Sequence, residues 1–265
     1  MGIHRVKLYL ILITALLITC ITASCAGRQD SGTVTDDKKI RAAVIDTGFS
    51  EKAIPAGNIV GGKNYVEWSM GTDDTYGHGT AVASIILENA PDTELVALVS
   101  SVYEHGRLKQ VDADTFAGII IDAVDVYGCD VINISAGFAA DVEAVRLAVE
   151  YAAQKGVVVV ASAGNDYVEN PDVKYYPAAY DDVIAVGSMN ESRTAISDFS
   201  QRGEWVDMYE CGENITVRTL SGDSREVSGT SYAAAGVTSK VCRILEENSG
   251  LTVDKVLEII DFREN

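Results

Sequence analysis

Val157-Val158-Val159-Val160-Ala161-Ser162-Ala163-Gly164-Asn165 is the stretch that decides the fold. Its first five residues are apolar without polar alternation, so a strand made from them has to be covered on both faces. Just upstream, Val142–Lys155 places Val142, Val145, Ala148, Tyr151 and Ala152 on one stripe and stops at Gly156, the pattern of an amphipathic helix with a glycine end. A helix leading into a strand buried on both faces is part of a βαβ unit, which requires a parallel sheet between helical layers.

The same alternation runs outward in both directions. Further strands are expected at Arg41–Asp46, Glu94–Ser101, Val131–Ser135 and Val183–Ser188, with Val157–Ser162 among them. Further helices are expected at His78–Glu88, Thr115–Tyr127 and Ala233–Glu246. Pro91-Asp92 marks a turn and Asn165–Pro177 a polar loop. The order predicts a doubly wound α/β fold, whose ligand crevice lies beyond the carboxyl ends of the strands. Asp46, Ser135 and the Ser162–Asn165 turn end strands there, so they are the residues to examine.

With 265 residues, 47% of them hydrophobic, the chain is long enough for one large α/β domain and too apolar to be disordered. Its 21 Lys and Arg stand against 39 Asp and Glu, a net charge of −18, and no basic patch interrupts the excess, which excludes a nucleic-acid partner. The N-terminus reads as an export signal: Arg5 and Lys7, then an apolar run from Leu8 to Ile21 that is short for a bilayer span. Thr22-Ala23-Ser24-Cys25 resembles a lipobox, with Thr22 where an aliphatic residue is usual; simple cleavage after Ala26 is the other reading. The polar stretch Gly27–Lys39 suits a surface tether and favours lipidation of Cys25. The expected organisation is thus a signal peptide over residues 1–25, of lipoprotein type, a polar tether over 26–39 and a catalytic domain over 40–265. The product would be an exported monomer, membrane-anchored or secreted. Cys129, Cys211 and Cys242 remain in the domain with no C-x-x-C spacing, and are expected to be buried small hydrophobes rather than metal ligands.

Three short segments carry the chemistry. His78 sits in Tyr76-Gly77-His78-Gly79-Thr80 where a helix begins, its glycine neighbours leaving the imidazole accessible, while His105 lies in a polar loop. Asp46 ends an apolar strand in Ile45-Asp46-Thr47-Gly48, where a buried carboxylate needs a partner. One partner is a histidine to orient; the other is a second Asp-Thr-Gly, as in aspartic proteases, which this chain would have to borrow by dimerising. Ser231, in Ser228-Gly229-Thr230-Ser231-Tyr232-Ala233, stands at a helix start: a cap, or a nucleophile beside free N–H groups able to hold an oxyanion. Ala233 breaks the Gly-x-Ser-x-Gly pattern of α/β-hydrolases.

In the order Asp46, His78, Ser162-Ala163-Gly164-Asn165, Ser231, these segments resemble the subtilisin-like serine peptidases, the subtilases. The likeness extends to Asp130–Gly137, Tyr176-Pro177-Ala178, Val183–Gly187 and Asp198-Phe199-Ser200. It implies a three-layer fold, a mostly parallel twisted sheet of about seven strands with helices on both faces. It also implies a serine endopeptidase acting on peptides or proteins: Ser231 attacks, His78 moves the proton, Asp46 orients the imidazole and Asn165 with the Ser231 N–H binds the oxyanion. Ser135, Ala136 and Gly137 would form one wall of the specificity pocket, Ser162, Ala163 and Gly164 the other, with Tyr175 near its floor, pointing inward or outward. The other expectation is a catalytically silent subtilase fold that binds peptides.

The sequence departs from the family in places. Ala81 stands where a second histidine is common, Ala235 where proline is usual, leaving the last helix unkinked, and Ala136 where leucine is frequent. Ser84–Pro91 runs on where many relatives insert a calcium loop, so no metal site and no cofactor is expected. Residues 26–45 are too few for a folded pro-domain, so the enzyme is expected to fold unaided or with a chaperone in trans.

Overall fold

The computed structural model describes residues 39–248 and 250–264; the expected signal peptide, Cys25 and all of the tether except Lys39 lie outside them. The strands are β1 (Arg41–Asp46), β2 (Ile59–Asn64), β3 (Glu94–Val99), β4 (Ser101–Glu104), β5 (Arg107–Gln110), β6 (Val131–Ile134), β7 (Val158–Ser162), β8 (Val183–Met189), β9 (Met208–Cys211), β10 (Ile215–Arg218) and β11 (Ser224–Val227). The helices are α1 (His78–Asn89), α2 (Ala113–Asp125), α3 (Glu143–Gln154), α4 (Thr230–Glu247) and α5 (Val253–Glu264).

Seven strands form one sheet in the order β2-β3-β1-β6-β7-β8-β9, with every neighbouring pair parallel. Both faces are covered. Ala42 and Val44 of β1 and Val158 and Val160 of β7 pack with α1, α4 and α5, while Ala43, Ile45 and Val159 pack with α2 and α3. Consecutive residues thus enter opposite cores, which is why the valine run carries no polar alternation. The three-layer α/β fold is the expected one. After β1 the chain crosses to β2 at one edge, returns to β3 beside β1 and only then passes to β6 on the other side, so the carboxyl ends of β1 and β6 form the topological switch point.

The differences lie at the edges. The run expected as one strand over Glu94–Ser101 divides at Ser100, whose N–H donates to the Asp46 carbonyl (2.9 Å) and whose own carbonyl accepts from Val111 (3.0 Å). Beyond it β4 leaves the sheet to pair with β5 as an antiparallel hairpin. The edge strands β2, with Gly61-Gly62 at its centre, and β9, four residues with a charge inside, carry too little apolar pattern to stand out. Of the three cysteines expected to be buried, Cys129 and Cys242 are; Cys211 is only half-buried, because β9 is the sheet's last strand. Helix α4 continues unbroken through Ala235, and α1 through Ser84–Glu88. Among the described residues no group of three or more His, Cys, Asp or Glu is placed to hold a metal.

Candidate active site

At the switch point, Asp46 closes β1 and is 6% exposed. Its Oδ1 and Oδ2 lie 2.9 and 2.8 Å from His78 Nδ1, and Oδ1 also accepts the Thr47 N–H at 2.8 Å. With a carboxylate at Nδ1, that nitrogen carries the proton and Nε2 keeps its lone pair. Burial pushes the imidazole pKa down, but the charge and hydrogen bond of Asp46, helped by Asp74, outweigh it. Arg225 opposes them, and the net result is a pKa above the ordinary histidine value.

The imidazole is aimed by its loop. Asp74 Oδ1 accepts the N–H groups of Tyr76 (2.8 Å) and Gly77 (2.7 Å), and its Oδ2 accepts the N–H (2.9 Å) and hydroxyl (2.7 Å) of Thr80. One carboxylate thereby satisfies free donors at the start of α1. Gly79 presses against β1: a Cβ there would lie 2.4 Å from the Gly48 carbonyl oxygen, and the Gly79 N–H donates to the Thr47 hydroxyl (2.9 Å). A larger residue would push His78 away from Asp46.

Ser231 enters from the other side, in the first turn of α4 and 7% exposed. The neighbouring Tyr232 ring lies 5.6 Å from the His78 ring, centroid to centroid. Among the described residues no hydrogen bond joins Ser231 to His78; such bonds often tighten only when substrate is in place. The middle of α4 is tied to the sheet through buried Asn133 of β6, whose Oδ1 accepts from the Thr238 hydroxyl (2.9 Å) and whose Nδ2 donates to the Ser135 hydroxyl (3.1 Å).

Beside Ser231 opens a cavity of about 310 Å³, lined by Ser135, Ala136 and Gly137 on one side and Ser162, Gly164 and Asn165 on the other, with Asp166 and Tyr175. The Phe138 and Tyr176 backbones join the Ser135–Gly137 wall to the segment that carries Tyr175 by reciprocal hydrogen bonds of 2.7 and 2.9 Å. Asn165 Oδ1 accepts both the N–H (2.8 Å) and the hydroxyl (2.9 Å) of Thr230. Donors on that atom fix the amide's orientation and leave Nδ2 with its hydrogens unspent. Among the described residues no acceptor takes the Ser231 N–H either.

The structure therefore brings Asp46 to His78, and gathers Ser231, Asn165, Ser135, Ala136, Gly137, Ser162, Gly164 and Tyr175 round one cavity. Ala163 does not line it: the residue is fully buried and its N–H donates to the Val186 carbonyl (2.9 Å). Ser162 and Gly164 face the cavity, and the residue between them in an extended chain turns to the opposite side. Tyr175 points inward. Asp74 and Asp166 were not found by sequence reasoning. Asp74 had a usable signal, an Asp followed by donors two and three residues on at a helix start; Asp166 had only its place beside Asn165.

Residues 37–260 match the family model described as the Subtilase family. The chain is 34% identical over 225 residues to the Major intracellular serine protease of Bacillus subtilis (strain 168), covering 78% of this chain and 68% of the relative. Subtilisin DY of Bacillus licheniformis is 31% identical over 222 residues, covering 82% of this chain and 80% of that one. The crystal structure of a cold adapted subtilisin-like serine proteinase superposes with a TM-score of 0.71 at 28% identity, over 84% of this chain and 81% of the other.

Proposed function

The chain belongs to the subtilase family of serine peptidases, and on that premise we propose that it cleaves peptide bonds within exported or extracellular substrates through Asp46, His78 and Ser231. Ser231 Oγ attacks the scissile carbonyl carbon while His78 Nε2 takes the hydroxyl proton. The carbonyl oxygen, now negative, sits between Asn165 Nδ2 and the Ser231 N–H. The C–N bond breaks, His78 returns the proton to the leaving amine, and an acyl ester remains on Ser231. Water, deprotonated by His78, then releases the acid and restores the hydroxyl. Asp46 keeps the Nδ1–H tautomer and stabilises the imidazolium formed twice in each cycle.

The observation that carries this reading is the Asn165 amide, pinned by Thr230 at its oxygen, with its N–H groups free in the cavity that holds Ser231. The test is labelling with a fluorophosphonate, which reacts with activated serines. Labelling of the wild type that vanishes in both Ser231→Ala and His78→Ala supports the assignment. An unlabelled wild type would overturn it, and peptidase activity surviving Ser231→Ala would assign the chemistry elsewhere.

Export is supported by the basic n-region and apolar core of residues 1–25, followed by the tether over 26–39 and the catalytic unit over 40–265. Mass spectrometry of the cell-derived protein tests it: a diacylglyceryl adduct on an N-terminal Cys25, lost with Cys25→Ser, is the expected result. An intact residue 1 on the mature chain would sink it.

A further inference from the structure

We propose that Asp166, presented to the cavity beside Ser231 and tethered to Tyr175, makes this peptidase select a cationic residue, lysine or arginine, on the acyl side of the scissile bond (P1). The proposal rests on the reading that Ser231 is the nucleophile, since that places the P1 side chain in this cavity.

Asp166 is the one group lining the cavity that is charged at neutral pH. Its Oδ2 accepts the Tyr175 hydroxyl (2.6 Å) and Asn170 Nδ2 (2.9 Å), and its Oδ1 accepts Gln201 Nε2 (3.1 Å). All three donors are neutral. With these three side-chain donors and its own backbone N–H, the carboxylate is held in place while its negative charge stays uncompensated by any cation among those partners. Arg202, which follows Gln201 in the chain, is engaged elsewhere: its guanidinium lies 4.0 Å over the Tyr167 ring and donates to the carbonyls of Ser197 (3.0 Å) and Ser200 (3.4 Å). Partial desolvation raises the Asp166 pKa, but the three side-chain hydrogen bonds and that of its own backbone N–H outweigh it, so the pKa lies below the ordinary aspartate value. Behind it, Gln201 is fully buried and braced by a second bond from Nε2 to the Asn170 carbonyl (2.9 Å), so the carboxylate stands on a rigid support.

Tyr175 supplies the shape. Its ring reaches from one wall to the other: a Cβ on Gly164 would lie 2.6 Å from Tyr175 Cδ2, and one on Gly137 would lie 3.8 Å from Tyr175 Cδ1. The ring takes the depth that a large aromatic P1 side chain would need. An unbranched lysine or arginine stem can instead lie along the ring face and carry its head to Asp166. An acidic P1 side chain meets the same carboxylate and is repelled.

The experiment compares kcat/KM for fluorogenic peptides identical except at P1, which is Arg, Lys, Leu, Phe or Glu, using the full chain with active sites counted by fluorophosphonate. Arg and Lys are expected to exceed Leu by about 10–100-fold, the range of a hydrogen bond to a charged group, with Phe lower and Glu lowest. Asp166→Asn is expected to remove most of that advantage, read as a fall of the Arg-to-Leu ratio of kcat/KM to within about threefold of one, because the amide has no charge to offer a cationic side chain. Wild-type cleavage that favours Leu or Phe, or an Asp166→Asn enzyme that keeps the cationic preference, would overturn the proposal with labelling intact. Loss of both labelling and hydrolysis in the wild type would overturn the nucleophile assignment and the proposal with it. Should Asp166→Asn fail to label, the wild-type order and competitive inhibition by benzamidine decide: inhibition supports the proposal, and a benzamidine-insensitive enzyme preferring neutral P1 residues contradicts it.

Discussion

Asp46 and Asp166 are carboxylates at the same rim of one sheet, and they are held in opposite ways. Asp46 ends a central strand, is almost wholly buried, and gives both oxygens to the imidazole of His78. Asp166 sits in a loop, half-buried, and is held by three neutral side chains. The first carboxylate's interactions are completed inside the protein; the second keeps charge to offer outside. A third, Glu210, shows the remaining possibility, since Lys240 and Arg193 neutralise it and its pKa, which burial would raise, is lowered overall by those partners. The contrast separates machinery, which tolerates no change of proton or geometry, from recognition, which can be altered with the fold intact.

The sharpest way to break this contrast is Asp46→Asn. An amide facing Nδ1 favours the wrong imidazole tautomer, so kcat should fall by about 10⁴ with the melting temperature little changed. A loss below tenfold would show that the buried pair is not the machinery proposed. Asn165→Ala comes next, with an expected loss of about 10²–10³ in kcat and little change in KM. Because Asn165 also anchors Thr230, thermal unfolding of the same variant shows whether the loss is chemical or structural.

Two glycines probe the regions by stability alone. Gly79→Ala sets a methyl group against the Gly48 backbone, which cannot yield, and should cost about 3 kcal/mol in chemical denaturation. Gly164→Ala meets the Tyr175 ring, which can shift, but at φ +114° it retains backbone strain; a cost of about 1–2 kcal/mol is expected. Equal costs would remove the distinction between a rigid and an adjustable wall.

The smallest effect is in pH dependence. The acid limb of kcat/KM should lie above the ordinary histidine value of about 6.5, because catalysis needs neutral His78 and its pKa is raised. Of the groups facing the ring, Asp46 and Asp74 raise it and Arg225 lowers it, while the Tyr232 phenol is neutral here. Asp74→Asn should move the limb to lower pH and Arg225→Gln to higher. The sign for stability follows: the pairing contributes fully below the unfolded-state pKa and is lost as pH rises through the folded one. A limb unmoved by either variant would mean that these two charges do not act on His78.

Much of this was legible in the chain. The valine run, the helical stripe before it and the carboxylate and small residues ending the strands lead to a parallel sheet with a crevice at its carboxyl edge. Local pattern carries that information because burial on two faces leaves no room for polar alternation. Edge strands such as β2 and β9 were not legible, since residues paired on one side only need no strong apolar pattern. Asp74 and Asp166 were hidden for a different reason: each acts through donors supplied by the surrounding chain, and a lone aspartate in a loop looks like any solvated charge.

By itself, then, the sequence determined the layer architecture and the order of the chemically able residues, because both are written in short-range pattern. Tertiary structure alone decided that Tyr175 turns inward, that Ala163 turns away, that Thr230 holds the Asn165 amide by its oxygen, and that Asp166 lines the cavity with neutral side chains as its hydrogen-bond partners. Those outcomes depend on which side chains distant segments bring within about 3 Å of one another, and no local periodicity encodes that distance.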